Sequence, residues 1–292
     1  MRKPALVVHG GSGATPEAER PLHTAAAQRA ADEGWRVLSA GGAALDAVET
    51  AIRHLEDDPL LNAGTGSYLQ ADGIARMDAS IMAGDGRAGA VAQVPGVRYP
   101  IRLARYLLEQ DAHVMLCGPE ARGLARQLGH EEALPATPDK IAYWQAHLVG
   151  PSASLDYAAM AAEWQQRDRL GTVGCVALDV DGHLAAATST GGTPQCYPGR
   201  VGDSPIIGAG TYCTRRVGVS MTGLGERIMV LLSAKRLADL VAGGMPLTGA
   251  GQAVLQEIAV ATPGVAGLIS LDADGHIVAL HDTPFMAWAE RQ

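Results

Sequence analysis

At Gly171-Thr172-Val173-Gly174 a polar stretch gives way to an apolar run, and a threonine stands at the junction. A threonine hydroxyl is a weak nucleophile and attacks a carbonyl only with a base beside it. When the threonine is the first residue of a chain, its own amine supplies that base. An α-amino group titrates at about 7.7–8.0, near the pH at which a general base works best. No such amine exists while the peptide between Gly171 and Thr172 is intact. A threonine entering a strand is by itself an ordinary structural event. What distinguishes Thr172 is its company downstream: Ser189-Thr190-Gly191-Gly192, Gly199-Arg200-Val201-Gly202-Asp203-Ser204-Pro205, Gly208-Ala209-Gly210 and Thr222-Gly223-Leu224-Gly225-Glu226.

Other chemistries fail on spacing. A dinucleotide fingerprint needs a third glycine, but Gly11-Ser12-Gly13 has Pro16 in that place, Gly208-Ala209-Gly210 has Cys213 and Gly223-Leu224-Gly225 has Ile228. There is no Gly-Lys dipeptide for a phosphate-binding loop and no H-E-x-x-H. Gly10-Gly11-Ser12-Gly13-Ala14 approaches the G-x-S-x-G elbow, but Ala14 spoils it, and the run reads as a glycine-rich turn with His9 as a packed histidine. Asp179-Val180-Asp181-Gly182 and Asp272-Ala273-Asp274-Gly275 resemble the start of a calcium loop. The twelfth position, however, holds Thr190 or Thr283 instead of glutamate, so both read as hairpin turns. The four cysteines form no CxxC pair and read as small buried residues.

The elements that must position Thr172 are legible in outline. With 292 residues, 47% of them hydrophobic, the chain can build a large core and is not disordered. A net charge of −8 argues against nucleic acid as a partner. No run is apolar enough for a membrane span and the first residues do not form a leader, so a cytoplasmic protein is expected. A strand is expected over 5–9, then two alanine-rich helices, the second with Leu45, Val48, Ile52 and Leu55 on one face. Strands are expected over 67–70 and 74–81 around the Asp72-Gly73 turn, and over 88–94. A helix over 101–110, a short strand over 113–117 and a helix over 120–128 follow. The stretch from Pro135 to Gly171 shows no strand pattern, and 148–171 reads as an exposed linker with a helical turn near 158–164. Beyond it come a hairpin over 172–184, one helix carrying Leu224, Ile228, Leu231, Ala234, Ala238 and Val241, and a second helix over 249–261. Helices outside antiparallel sheets account for this order.

Five ordered stretches together carry a resemblance: His9-Gly10-Gly11-Ser12-Gly13, Asn62-Ala63-Gly64-Thr65-Gly66-Ser67, Met77-Asp78-Ala79-Ser80-Ile81-Met82, the Gly171-Thr172 junction, and Gly199 to Pro205. In these the chain resembles, over nearly its whole length, the plant-type asparaginase and isoaspartyl peptidase family of N-terminal-nucleophile hydrolases. The resemblance implies an α+β fold, a four-layer αββα sandwich, in one domain over 1–292. It implies that Thr172 cleaves the bond after Gly171 by an N→O acyl shift, giving an α piece (1–171) and a β piece (172–292). Many members have an aspartate where this chain has Gly171.

The resemblance also assigns roles. Arg200 would hold the α-carboxylate of a β-aspartyl substrate with its planar donors. Asp203 would accept the ammonium, with help from the Gly225 carbonyl. The hydroxyl of Thr222 and the N–H of Gly223 would form the oxyanion hole, where a donor is typically worth about 2.7–4 kcal/mol. Thr190 would hydrogen-bond the nucleophile, and Asn62 would stand near it, serving the catalytic water or autoprocessing. No cofactor is implied for the chemistry. A structural sodium or potassium ion is implied on the backbone carbonyls of Leu55, Glu56, Asp58, Leu61, Ala63 and Thr65. The expected substrates are isoaspartyl peptides and L-asparagine, and the expected assembly is a homodimer of αβ units, with neither membrane nor nucleic acid as partner. A glycosylasparaginase-like amidase and an uncleaved, non-catalytic binding protein for an amino-acid-like ligand are the alternatives.

Overall fold

The computed structural model describes residues 2–133, 136–147 and 171–292. Its centre is a pair of stacked sheets. The larger has seven strands in the order β11-β1-β5-β6-β2-β3-β4, and the smaller four in the order β10-β9-β8-β7. The strands are β1 Ala5–Gly13, β2 Arg76–Ala83, β3 Ala88–Pro95, β4 Met115–Cys117, β5 Val173–Leu178, β6 Leu184–Thr190, β7 Thr211–Cys213, β8 Val217–Gly223, β9 Ala266–Asp272, β10 Ile277–His281 and β11 Phe285–Arg291. Every pairing is antiparallel except β3 with β4.

Side-chain alternation explains why the strands read as unbroken apolar runs. Leu6 and Val8 of β1 face a core shared with helices, while Ala5 and Val7 face the other sheet. A strand buried on both faces has no polar side to show. Helices α1 (Arg20–Ser39), α2 (Ala44–Asp57), α3 (Pro100–Gln110) and α4 (Gly118–Gln127) supply side chains to the outer core of the large sheet. Helices α7 (Ser233–Ala242) and α8 (Leu247–Ala261) do the same for the small sheet through Leu237, Val254 and Ile258. Val176, Leu184, Ile269 and Leu271 fill the layer between the sheets. The result is the expected four-layer αββα sandwich.

Part of that middle layer is polar. Ser220 Oγ lies 2.7 Å from Thr188 Oγ and 3.0 Å from His9 Nε2. Thr211 donates to Thr188, and Ser80 donates to Thr211 at 2.8 Å. These buried hydroxyls satisfy one another, as a low-dielectric interior demands.

Some boundaries differ from expectation. Residues 67–70 form no strand: the Gln195 amide donates to the Leu69 carbonyl at 2.8 Å and the Ala71 amide to Cys196 at 3.0 Å, which ties this segment to a loop and not to β2. The single helix expected from Leu224 to Val241 is two, α6 (Gly225–Leu231) and α7, because Leu232 takes a left-handed conformation with φ 47°. An unexpected helix α5 spans Pro138–Ala146, started by Thr137, whose hydroxyl accepts the Lys140 amide. The linker expected over 148–171 and its helical turn at 158–164 lie, Gly171 apart, outside the described residues. Both Asp-Gly hairpins form, each built on an aspartate that accepts the amides of residues two and four further on. Among the described residues no helix is long and apolar enough to cross a membrane.

Helices α1 and α2 approach closely over small residues, and Gly34 stands at the contact. A Cβ there would lie 2.6 Å from Leu6 Cδ1 and 3.1 Å from the Ala47 carbonyl. Overpacking of this kind costs about 1–3 kcal/mol. Gly34→Val should lower the urea midpoint accordingly; an unchanged midpoint would mean the helices have room to move apart.

Candidate active site

Strand β5 runs between β1 and β6, and the registers at its start bring the predicted residues together. His9 is opposite Gly174, and Val173 is opposite Ser189. One step further, Thr172 meets Thr190: the buried Thr172 hydroxyl donates to Thr190 Oγ at 3.4 Å. The Gly192 amide donates to the same oxygen at 3.1 Å, which fixes its direction. The small sheet delivers Thr222 and Gly223 at the end of β8. The Ser12 amide donates to Thr222 Oγ at 3.2 Å, so the Thr222 hydroxyl keeps its own proton for another acceptor. Thr172, Thr190, Gly223, Arg200, Asp203 and Gly171 line one small cavity of about 20 Å³. That is room for little more than a water molecule.

The charges at this cavity are buried. Arg200 and Asp203 are not paired with each other within 4 Å. Arg200 reaches instead to Glu226, with Nε at 3.0 Å and Nη2 at 2.9 Å from Oε1. Asp203 Oδ2 is buried and accepts no hydrogen bond. Burial pushes the Asp203 carboxyl up to about 7, opposed by the neighbouring Arg200 guanidinium. Gly225 packs against both groups: a Cβ there would come 2.8 Å from Asp203 Oδ1 and 2.9 Å from Arg200 Nη2. The loop holding Arg200 is fixed from below by Asp78, which accepts the amides of Gln93 at 2.7 Å and Gly202 at 3.3 Å. Gln93 in turn donates through Nε2 to the Arg200 carbonyl.

Asn62 braces the turn after Thr190. Its Nδ2 donates to the Gly192 carbonyl at 2.6 Å, its carbonyl accepts the Gly191 amide at 2.9 Å, and its Oδ1 accepts the Tyr68 amide at 3.1 Å. Its side chain borders a second cavity on the far side of Gly171, not the one containing Thr172. His9 is fully buried and burial drives its pKa down to about 3, so its imidazole is neutral and packed, as expected. Gly11 has φ 101° and faces Gly171 backbone to backbone. A Cβ on Gly171 would lie 2.5 Å from the Gly11 Cα, so the residue ahead of Thr172 has no space for a side chain here.

Sequence reasoning missed three contributors. Glu226 stood inside a quoted motif without a role, and Asp78 likewise, although each sits within a run rich in glycine or small residues. Gln93 carries no signal at all; its positive φ of 54° and its reach to Arg200 appear only in three dimensions.

The profile of the asparaginase family matches residues 2–292. The chain is 41% identical over 300 residues to a plant-type L-asparaginase of Thermococcus kodakarensis, covering 98% of this chain and 95% of the relative. It is 39% identical over 299 residues to an isoaspartyl peptidase of Escherichia coli, covering 99% and 93%. A mouse isoaspartyl peptidase/L-asparaginase is 41% identical over 288 residues, covering 97% and 86%.

Burial pushes the Asp203 carboxyl up to about 7, so protonation below that pH would remove the acceptor that the resemblance assigns to a ligand ammonium. The KM for L-asparagine should therefore rise as pH falls through 7. Asp203→Asn should show a high KM at every pH and no inflection there, which a pH series of initial rates would reveal.

Proposed function

The chain belongs to the asparaginase family and is a hydrolase, and on that premise we propose that it cleaves isoaspartyl peptides and L-asparagine with Thr172 as an N-terminal nucleophile. The observation that carries this reading is the buried Thr172 hydroxyl bonded to Thr190, in one cavity with Arg200 and with Asp203, whose buried Oδ2 accepts no hydrogen bond.

Maturation comes first. Thr172 Oγ attacks the Gly171 carbonyl, the acyl group passes from nitrogen to oxygen, and water hydrolyses the ester. Gly171 ends the α piece with a carboxylate and Thr172 opens the β piece with an amine. In turnover that amine takes the hydroxyl proton while Oγ attacks the side-chain carbonyl of the substrate. Thr222 Oγ–H and the Gly223 N–H stabilise the oxyanion, Arg200 holds the α-carboxylate, and Asp203 with the Gly225 carbonyl holds the ammonium. The leaving nitrogen recovers the proton and departs as ammonia or as an amino acid. Water then releases aspartate from Thr172. Thr190 orients the hydroxyl, and Asn62 acts by holding the turn beside it.

A sodium or potassium ion belongs to the same proposal, held by the carbonyls of Leu55, Glu56, Asp58, Leu61, Ala63 and Thr65. What supports this reading is the tight folding of the loop: Gly64 packs on the Glu56 carbonyl and Gly66 on the Leu61 carbonyl, where any Cβ would intrude, while the Leu55, Asp58 and Ala63 carbonyls also accept backbone amides. Bound there, it would stiffen the loop that carries Asn62 and take no part in bond making. The proposal includes a homodimer of αβ units, supported by the exposed apolar Val230, Leu231 and Leu232. It also includes a cytoplasmic setting, supported by four unpaired cysteines.

Two experiments test these readings. On a denaturing gel with intact-mass measurement, wild type should resolve into pieces 1–171 and 172–292, whereas Thr172→Ala should stay whole and inactive. Normal processing of that variant would refute the nucleophile. Exchange of sodium and potassium for tetramethylammonium should lower Tm, and sodium chloride should restore it; an indifferent Tm would exclude the ion.

A further inference from the structure

Gly171 also borders a second cavity, of about 510 Å³, which Arg200 does not line. It shares two walls with the Thr172 cavity, Ser12 and Gly171 itself. Gly171 is thus the partition between a space of about 20 Å³ and one far larger. Under the proposed maturation, residue 171 becomes a free chain end, and the partition can open.

The larger cavity has one buried cation, Lys140 of α5, at 8% exposure. Its ammonium stands 3.8 Å from the centre of the Tyr68 ring, and no carboxylate among the described residues comes within 4 Å of it. Two acidic residues, Glu19 and Asp139, border the same cavity, but both are exposed at its rim. A lysine is rarely buried without an anion, because desolvating the ammonium is costly. A ring face compensates part of that cost and leaves the hydrogen-bonding side of the ammonium usable. Burial holds the Lys140 pKa down at about 8, so the group is mainly protonated at neutral pH.

A β-aspartyl substrate fills this geometry in one way. Its α-carboxylate and ammonium occupy Arg200 and Asp203, and its side-chain carbonyl lies at Thr172. The substituent on the amide nitrogen must then leave through the far side of the small cavity, where Gly171 stands. For L-asparagine that substituent is only hydrogen. For a β-aspartyl dipeptide it is an amino acid ending in a carboxylate. We infer that Lys140, seated on Tyr68, receives the α-carboxylate of the leaving amino acid and so favours β-aspartyl dipeptides over L-asparagine. This rests on the hydrolase reading given above, and adds a specificity residue to it.

The test uses matured protein and three substrates: β-aspartyl-leucine, its C-terminal amide, and L-asparagine. Wild type should cleave the free acid at least tenfold better than the amide in kcat/KM, through KM. In Lys140→Met that preference should vanish and the ratio of dipeptide to asparagine turnover should fall about tenfold; Lys140→Arg should restore much of it. Equal wild-type rates on acid and amide would overturn the assignment without recourse to any variant. So would a Lys140→Met enzyme that loses acid, amide and asparagine turnover in the same proportion, since that is a structural effect. Failure of wild type to turn over any of the three would sink the hydrolase reading itself, and this assignment with it.

Discussion

The Asp203 carboxylate is held out of water with one oxygen, Oδ2, unmet by any hydrogen-bond donor among the described residues, and the architecture around it serves to tolerate that. Desolvation favours the neutral form of the group and raises its pKa. Arg200 opposes the shift, but Arg200 is itself buried, and the Glu226 carboxylate replaces part of the hydration its guanidinium has given up. Asp78 and Gln93 then hold the backbone between Arg200 and Gly202 so that neither charge can turn outward. Each layer stabilises the one above it, ending in a cavity lined by a buried cation and a buried carboxylate that are not paired with each other.

The threonines obey a second, simpler constraint. Three strands from the large sheet and one from the small sheet must end at one level for Thr172 to meet Thr190 and for Ser12 to meet Thr222. Pairing register enforces this, because a slip of one residue would turn every side chain to the opposite face. The hydroxyl seam of Ser220, Thr188, Thr211 and Ser80 links the two sheets just behind the site and penalises any slide between them. Specific geometry in the middle layer thus comes from polar groups, while the outer layers rely on alanine, leucine and valine packing.

Much of this was legible in one dimension, for reasons that differ by element. β1, β3, β5 and the hairpins were readable because apolar runs bounded by glycine have few alternatives. The helix over 224–241 was misread because its apolar spacing continues unbroken through Leu232, and only backbone conformation reveals the break. The segment 67–70 looked like a strand by composition, yet its hydrogen bonds go to residues 195 and 196, a long-range choice that local pattern does not encode. At the site, Thr172, Thr190, Arg200 and Asp203 were identifiable by motif and do share a cavity. Glu226 and Gln93 were not, since pairing an arginine side chain or a loop carbonyl needs no particular neighbour in sequence. Asn62 is the only asparagine of the sequence, but its position as a brace became visible only with its three hydrogen bonds.

The contact of Gly11 with Gly171 bears on how the molecule ages. Two bare backbones meet there, and the uncut polypeptide holds Gly171 against the cavity that Thr172 lines. A covalently tethered occupant has an effective concentration that free metabolites do not match. Under the proposed cleavage, the newborn protein is therefore a zymogen inhibited by its own main chain, and scission is also the moment of its release. Onset of activity would follow an internal clock, the first-order rate of one peptide bond, with no need for an activating partner.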